Sequence, residues 1–308
     1  MTTNAIQSSH IYSTYFAPRG RSRIYTLGMQ IAQLYLSPFD QIIGFIGEAG
    51  SGKSVLIKGM FPGIELTNDD DGVNVRPLPL LEQEYETGFF TPHTYHLDIR
   101  FETGFHQLSE LADAVRLAVR RGKRIIIEHF DLIYPLLGVN ANLLIGVGEQ
   151  IVITRPNLFG PLPQDLCDIV YPSLAYRLMA HSAEDLCEYA MTQEQMLACS
   201  HGDIRHGFVL EFNEHQPDID IPTLEARVNE LIRQDLPIDY YDESHILLGG
   251  VQHYCTGPRT HVRSTGRIIG FRLLDHFIYD HFHKTYMLVG CVGDDSEENI
   301  RKLEKIHG

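Results

Sequence analysis

The apolar positions in the first half of the chain alternate between short continuous runs and helical spacings. Ile42, Ile43, Phe45 and Ile46 surround a single glycine, and a run this short, flanked by turn residues, predicts a strand buried on both faces. Residues 125–127 (Ile-Ile-Ile) and 151–153 (Ile-Val-Ile) repeat the pattern, residues 93–101 read as a further strand, and residues 64–66 as a short one. Ile24, Leu27, Ile31 and Leu34 recur at helical spacing and stop before Pro38, while Leu108, Leu111, Val115 and Ala118 line one face of a helix that ends at Gly122. Strands alternating with helices predict a doubly wound α/β domain with a parallel sheet over residues 40–165, preceded by a helical leader over 1–39.

The residues just after the first buried run carry the sharpest chemical signal. Gly47, Glu48, Ala49, Gly50, Ser51, Gly52, Lys53 and Ser54 fit the phosphate-cradling pattern Gly-x-x-x-x-Gly-Lys-Ser at every fixed position, between a predicted strand and a predicted helix. Backbone N–H groups of such a loop close on phosphate oxygens, Lys53 reaches the β- and γ-phosphates, and the Ser54 hydroxyl goes to Mg²⁺. The expected ligand is therefore ATP with Mg²⁺. A nucleotide enzyme also needs carboxylates near the metal, and Glu128 and Asp131 follow the 125–127 run, with Glu128 favoured. Asp69 and Asp70 follow the short run at 64–66 and are expected near the crevice at the strands' carboxyl ends. There they would contact a small-molecule phosphate acceptor.

Composition narrows the classes. The 308 residues include 44% hydrophobic ones, enough for two ordinary domains. No apolar run approaches the roughly 20 residues needed to span a bilayer, and the first ten residues lack a cationic-apolar signal pattern. A cytoplasmic protein without membrane partners is expected. The formal charge of −15 argues against a general nucleic-acid coat, so any RNA contact must be local. The five cysteines are odd in number and lack Cys-x-x-Cys spacing, which predicts reduced thiols or a metal ligand rather than a disulfide framework.

After Pro163 the chain changes character. Residues 176–186 (Tyr-Arg-Leu-Met-Ala-His-Ser-Ala-Glu-Asp-Leu), 207–212 (Gly-Phe-Val-Leu-Glu-Phe), 229–238 and 255–268, the last containing Cys-Thr-Gly-Pro-Arg-Thr-His-Val, occur in order. Together they resemble the second additional, editing domain of threonyl- and alanyl-tRNA synthetases over roughly residues 172–292. The loop 47–54 likewise resembles that of P-loop kinases. The two resemblances imply an α/β protein, a P-loop parallel-sheet domain followed by an α+β editing-like domain at 172–295, with a charged, surface-helical tail at 296–308.

The editing-domain resemblance implies a site at His181, Asp185, Cys255 and His261. The family carries His-x-x-x-His and Cys-x-x-x-His there, often on zinc. In this chain Asp185 stands for the second histidine, and five residues rather than three separate Cys255 from His261. His, Asp, Cys and His all offer donors that Zn²⁺ accepts; three protein ligands with water would activate a nucleophile, whereas four would close the site. Three functions follow as expectations. The first is an ATP-dependent phosphotransferase or ATPase, the second a zinc-dependent trans-editing deacylase of aminoacyl-tRNA, and the third a module that senses an aminoacyl-like ligand without catalysis. His276, His281 and His283 match no metal-site spacing and are expected at a polar strand edge.

Overall fold

The computed structural model describes residues 12–67, 78–82, 93–213 and 215–307. Its chain divides into two compact units: residues 12–17 with 21–172, and residues 18–20 with 173–307. Asp69 and Asp70 lie outside the described residues.

The first unit is an α/β unit around a six-stranded sheet. In chain order its elements are β1 (Ser13–Phe16), α1 (Arg21–Tyr35), β2 (Ile42–Ile46), α2 (Lys53–Met60), the short α3 (Pro79–Glu82), β3 (Thr94–Asp98), α4 (Ile99–Glu102), α5 (Leu108–Arg120), β4 (Arg124–Glu128), α6 (Phe130–Leu137), β5 (Leu143–Val147) and β6 (Gln150–Thr154). The strand order is β1-β6-β5-β2-β4-β3. Alternate residues of each strand go to opposite cores. Ile43 and Phe45 join Ile24, Ile31, Leu56 and Ile57 on one side. Ile42 and Ile46 join Leu97, Val115, Ile125 and Ile127 on the other. This double burial is why β2 carries no polar residue.

Two expectations need correction. The sheet is not parallel throughout: β2, β3, β4 and β5 run parallel, but β6 pairs antiparallel with β5, and β1 antiparallel with β6. Only Gly148 and Glu149 join β5 to β6, and a parallel crossover needs a dozen residues or more, so that pair closes as a hairpin. Residues 64–66 form no strand. The place beside β4 belongs to β3, which matches it residue for residue from Thr94 opposite Arg124 to Asp98 opposite Glu128. Of the expected leader, β1 lies at the sheet edge and Ile24, Leu27 and Ile31 of α1 enter the core.

The second unit begins within α7 (Pro163–Ala190) and continues through α8 (Gln193–Ala198), β7 (Cys199–Ile204), β8 (Gly207–Asn213), α9 (Ile221–Arg233), β9 (Ile238–Asp242), β10 (His245–Leu248), β11 (Val251–Tyr254), β12 (Arg272–Leu273), β13 (Ile278–Asp280), β14 (Thr285–Cys291) and α10 (Ser296–His307). One antiparallel sheet has the order β12-β14-β8-β7 with β13 on β14, and β11-β10-β9 form another. Met179, Ala180, Ala183, Leu186 and Cys187 of α7 pack with Phe208, Leu210, Val228 and Leu288 in one core. His181, Glu184, Asp185 and Glu188 on the same helix are buried as well. Ionisable side chains rarely bury without partners, and Glu184 has the Arg19 guanidinium at 3.2 Å. Among the described residues, no helix is long and apolar enough to cross a membrane.

Candidate functional sites

In the first unit the loop after β2 bends through left-handed glycines, Gly50 at φ 78° and Gly52 at φ 89°, conformations a side chain would resist. Helix α2 then begins at Lys53, aiming its N-terminal N–H groups into the loop. Lys53 Nζ donates to the carbonyls of Gly47 and Glu48, each at 2.9 Å, and lies 3.6 Å from Glu128 Oε2. Ser54 Oγ donates to Glu128 Oε1 at 3.2 Å. The strand order that sets β4 beside β2 therefore brings together three of the residues singled out from sequence.

Residues that sequence reasoning missed surround Glu128. His96 Nε2 lies 3.2 Å from Glu128 Oε1, and the Thr67 backbone N–H donates to His96 Nδ1 at 3.2 Å. That donor fixes the lone pair on Nδ1, so the ring proton sits on Nε2 and points at the carboxylate. Burial alone would raise the Glu128 pKa, but His96, Lys53 and His129 outweigh it and bring the carboxyl down to about 2. Asp98 ends β3 opposite Glu128 and caps α4 by accepting from the Phe101 N–H. Burial, then the Glu128 charge, raises its pKa. The signal for Asp98 was a cap one turn before Phe101; reading residues 93–101 as a single strand hid it. His129 adopts φ 56°, and its buried Nδ1 has no hydrogen-bond partner. Burial, then Lys53 and Arg100, lowers the His129 pKa to about 4. Asp98, Glu128 and His129 offer donor atoms within 4.8 Å of one another, a group able to hold a metal ion. Asp131 instead accepts from the Tyr171 hydroxyl at 3.3 Å.

In the second unit, His181, Asp185, Cys255 and His261 converge despite the 74 positions between His181 and Cys255. Cys255 Sγ lies 3.5 Å from His181 Nε2 and 3.2 Å from His261 Nε2. Asp185 approaches His181 Nε2 at 3.8 Å and His261 Nε2 at 3.5 Å. The imidazole orientations are set from outside: His181 Nδ1 donates to the Thr260 carbonyl at 2.9 Å, and His261 Nδ1 meets Ser182 Oγ at 3.3 Å. Both rings thereby present Nε2 to the cluster. Burial, then His261, drives the His181 pKa well below its ordinary value; burial, then His253, lowers His261 to about 3. Asp185 goes the opposite way through burial and the neighbouring Glu188 and Glu184, and its Oδ2 is buried without a hydrogen-bond partner. Two neutral imidazoles, a thiol and a carboxyl group with one unsatisfied oxygen make a donor set suited to a cation. Gly257 makes the approach possible, because a Cβ there would sit 2.2 Å from the Arg19 carbonyl and 2.9 Å from His181 Cε1.

His276 and His283 form exposed pairs with Asp275 and Asp280 and join no metal-ligating group among the described residues. All five cysteines are free.

No family model matches the chain, and no curated protein matches it. A solved structure of an aminotransferase from Eubacterium rectale is similar at 13% identity and a TM-score of 0.23, over 75% of this chain and 65% of that one. A likeness this slight carries no argument about fold or activity.

Proposed function

We propose that the first unit binds ATP with Mg²⁺ and transfers or hydrolyses the terminal phosphoryl group, on a P-loop fold. The observation that carries the reading is the convergence of Lys53, Ser54 and Glu128 at the carboxyl ends of the adjacent strands β2 and β4. A phosphate-binding loop needs a cation for the β- and γ-phosphates, and Lys53 Nζ sits at the loop's own carbonyls of Gly47 and Glu48 with Glu128 Oε2 at 3.6 Å. Mg²⁺ needs hard oxygen donors, which Ser54, Glu128 and Asp98 supply. The metal would neutralise charge on the phosphates. Asp98, buried beside Glu128, is the carboxylate fitted to take a proton from an acceptor hydroxyl, which favours a phosphotransferase over a plain ATPase. Calorimetric titration with Mg·ATP tests the reading. Wild type should bind and Lys53→Ala should lose at least tenfold in affinity; equal binding by both would sink it.

A second reading concerns the other unit, where we propose a zinc site. Bonds of about 2.0–2.3 Å in a tetrahedron put donor atoms roughly 3.3–3.8 Å apart. Cys255 Sγ, at 3.5 Å from His181 Nε2 and 3.2 Å from His261 Nε2, sits on or near that range, and Asp185 sets Oδ1 3.8 Å from His181 Nε2 and Oδ2 3.5 Å from His261 Nε2. Four protein donors leave no coordination position for water, so this zinc would hold the unit together rather than hydrolyse an ester. Binding of tRNA or an aminoacyl ligand would then be recognition without deacylation by this ion. Elemental analysis against a Cys255→Ser variant tests it: metal equal in both defeats the four-donor site.

A further inference from the structure

We propose that Glu188, Cys199 and His201 form a second, open site for a zinc-type cation, one helical turn along α7 from Asp185. Cys199 and His201 are two apart on β7, so both side chains leave the same face of the sheet, and Glu188 meets them from α7. Cys199 Sγ lies 3.7 Å from Glu188 Oε1, His201 Nε2 hydrogen-bonds the same oxygen, and the three donor atoms lie within 4.8 Å of one another. Thiol, imidazole and carboxylate are the three donor types zinc takes, whereas Mg²⁺ and Ca²⁺ would reject the sulfur.

Exposure separates this trio from the four-donor cluster. Glu188 is buried, but Cys199 is half-buried and the His201 side chain is 27% exposed, so an ion can enter from solvent and keep a position for water.

Without metal, Glu188 and His201 share a hydrogen bond. Zn²⁺ would take thiolate, neutral imidazole and carboxylate as ligands, and the protons those donors carry would leave to solvent on binding. The inference goes beyond the four-donor reading and does not depend on it.

Counting metal decides it. Full-length protein stripped with a chelator, reloaded with excess Zn²⁺ and desalted should hold two ions per chain by mass spectrometry. Cys199→Ala and Cys255→Ala should each hold one. A wild-type count of one, removed by Cys255→Ala and kept by Cys199→Ala, overturns the second site and leaves the first standing. The converse pattern keeps the second site and removes the first, and no retained zinc in wild type overturns both. Should Cys199→Ala lose its fold by circular dichroism, His201→Gln replaces it with the same expected loss of one ion. Substitution with Co²⁺ gives an independent readout: the thiolate-to-cobalt absorption of wild type should fall by about half in either cysteine variant.

Discussion

Ser54 Oγ donates a 3.2 Å hydrogen bond to Glu128 Oε1 across 74 positions of sequence, at the junction of β2 and β4. The contact ties the start of α2 to a carboxylate that also faces Lys53 and His96. Removing that charge while keeping its shape is the most direct probe of the nucleotide site we propose. On that reading Glu128→Gln should lower ATP turnover on the order of 100-fold and leave nucleotide affinity within a few-fold, because the group would act on charge that develops during transfer. Steady-state kinetics beside calorimetry checks this; unchanged turnover would return Glu128 to a structural role.

The same carboxylate predicts how stability depends on pH. Its pKa falls from 4.5 in the unfolded chain to about 2 in the fold, through His96 and Lys53 acting against burial. Stability from Glu128 is thus present above pH 4.5 and lost as pH falls from there through about 2, on the order of 3 kcal/mol in all. Chemical denaturation across that window should show wild type losing stability that Glu128→Gln does not lose. Parallel slopes for the two proteins would remove the assignment.

Asp185→Asn separates the cost of a buried carboxylate from its use. Without metal, burial and the charges of Glu188 and Glu184 disfavour the ionised form, so the amide should leave the apo protein as stable or stabilise it by about 1–3 kcal/mol. With Zn²⁺, wild type should gain more in melting temperature than the variant, since a ligand that binds the folded state alone raises its stability and the variant lacks one donor of the four-donor site. Equal zinc-dependent gains in both proteins would exclude Asp185 as a ligand.

Arg19 holds a different set of charges. It pairs with Glu184 at 3.2 Å and Asp203 at 3.1 Å and donates to the carbonyls of Gly202 and Gly207. Arg19→Met takes the cation away from the buried Glu184 carboxylate and should cost about 3–5 kcal/mol. Arg19→Met combined with Glu184→Gln should recover part of that loss; a double variant no better than the single one would show that the pairing is not what Arg19 contributes.

Whatever is local was legible in the residues alone. The loop from Gly47 to Ser54 is contiguous, so the pattern of its glycines, lysine and serine is visible without a fold, and the Ile-rich runs before it and at 125–127 announce strands buried on two faces. His181 and Asp185 were singled out by the resemblance to the editing domain, and their i, i+4 spacing agrees with it because helix geometry sets both on one face. What the tertiary structure decided is pairing across distance. Only the register of β3 on β4 sets Asp98 opposite Glu128 and lets His96 reach it, and no pattern in residues 93–101 encodes which strand lies beside which. The hairpin between β5 and β6 turns on a two-residue connection that exists only because residues 143–147 form a strand of their own. Likewise Glu188, Cys199 and His201 lie on a helix and a strand with nothing in their spacing to connect them, and their meeting depends on how β7 docks against α7. Periodicity reports which face of an element is buried; it carries no term for which other element covers that face, and the sites of this protein are built where two such faces meet.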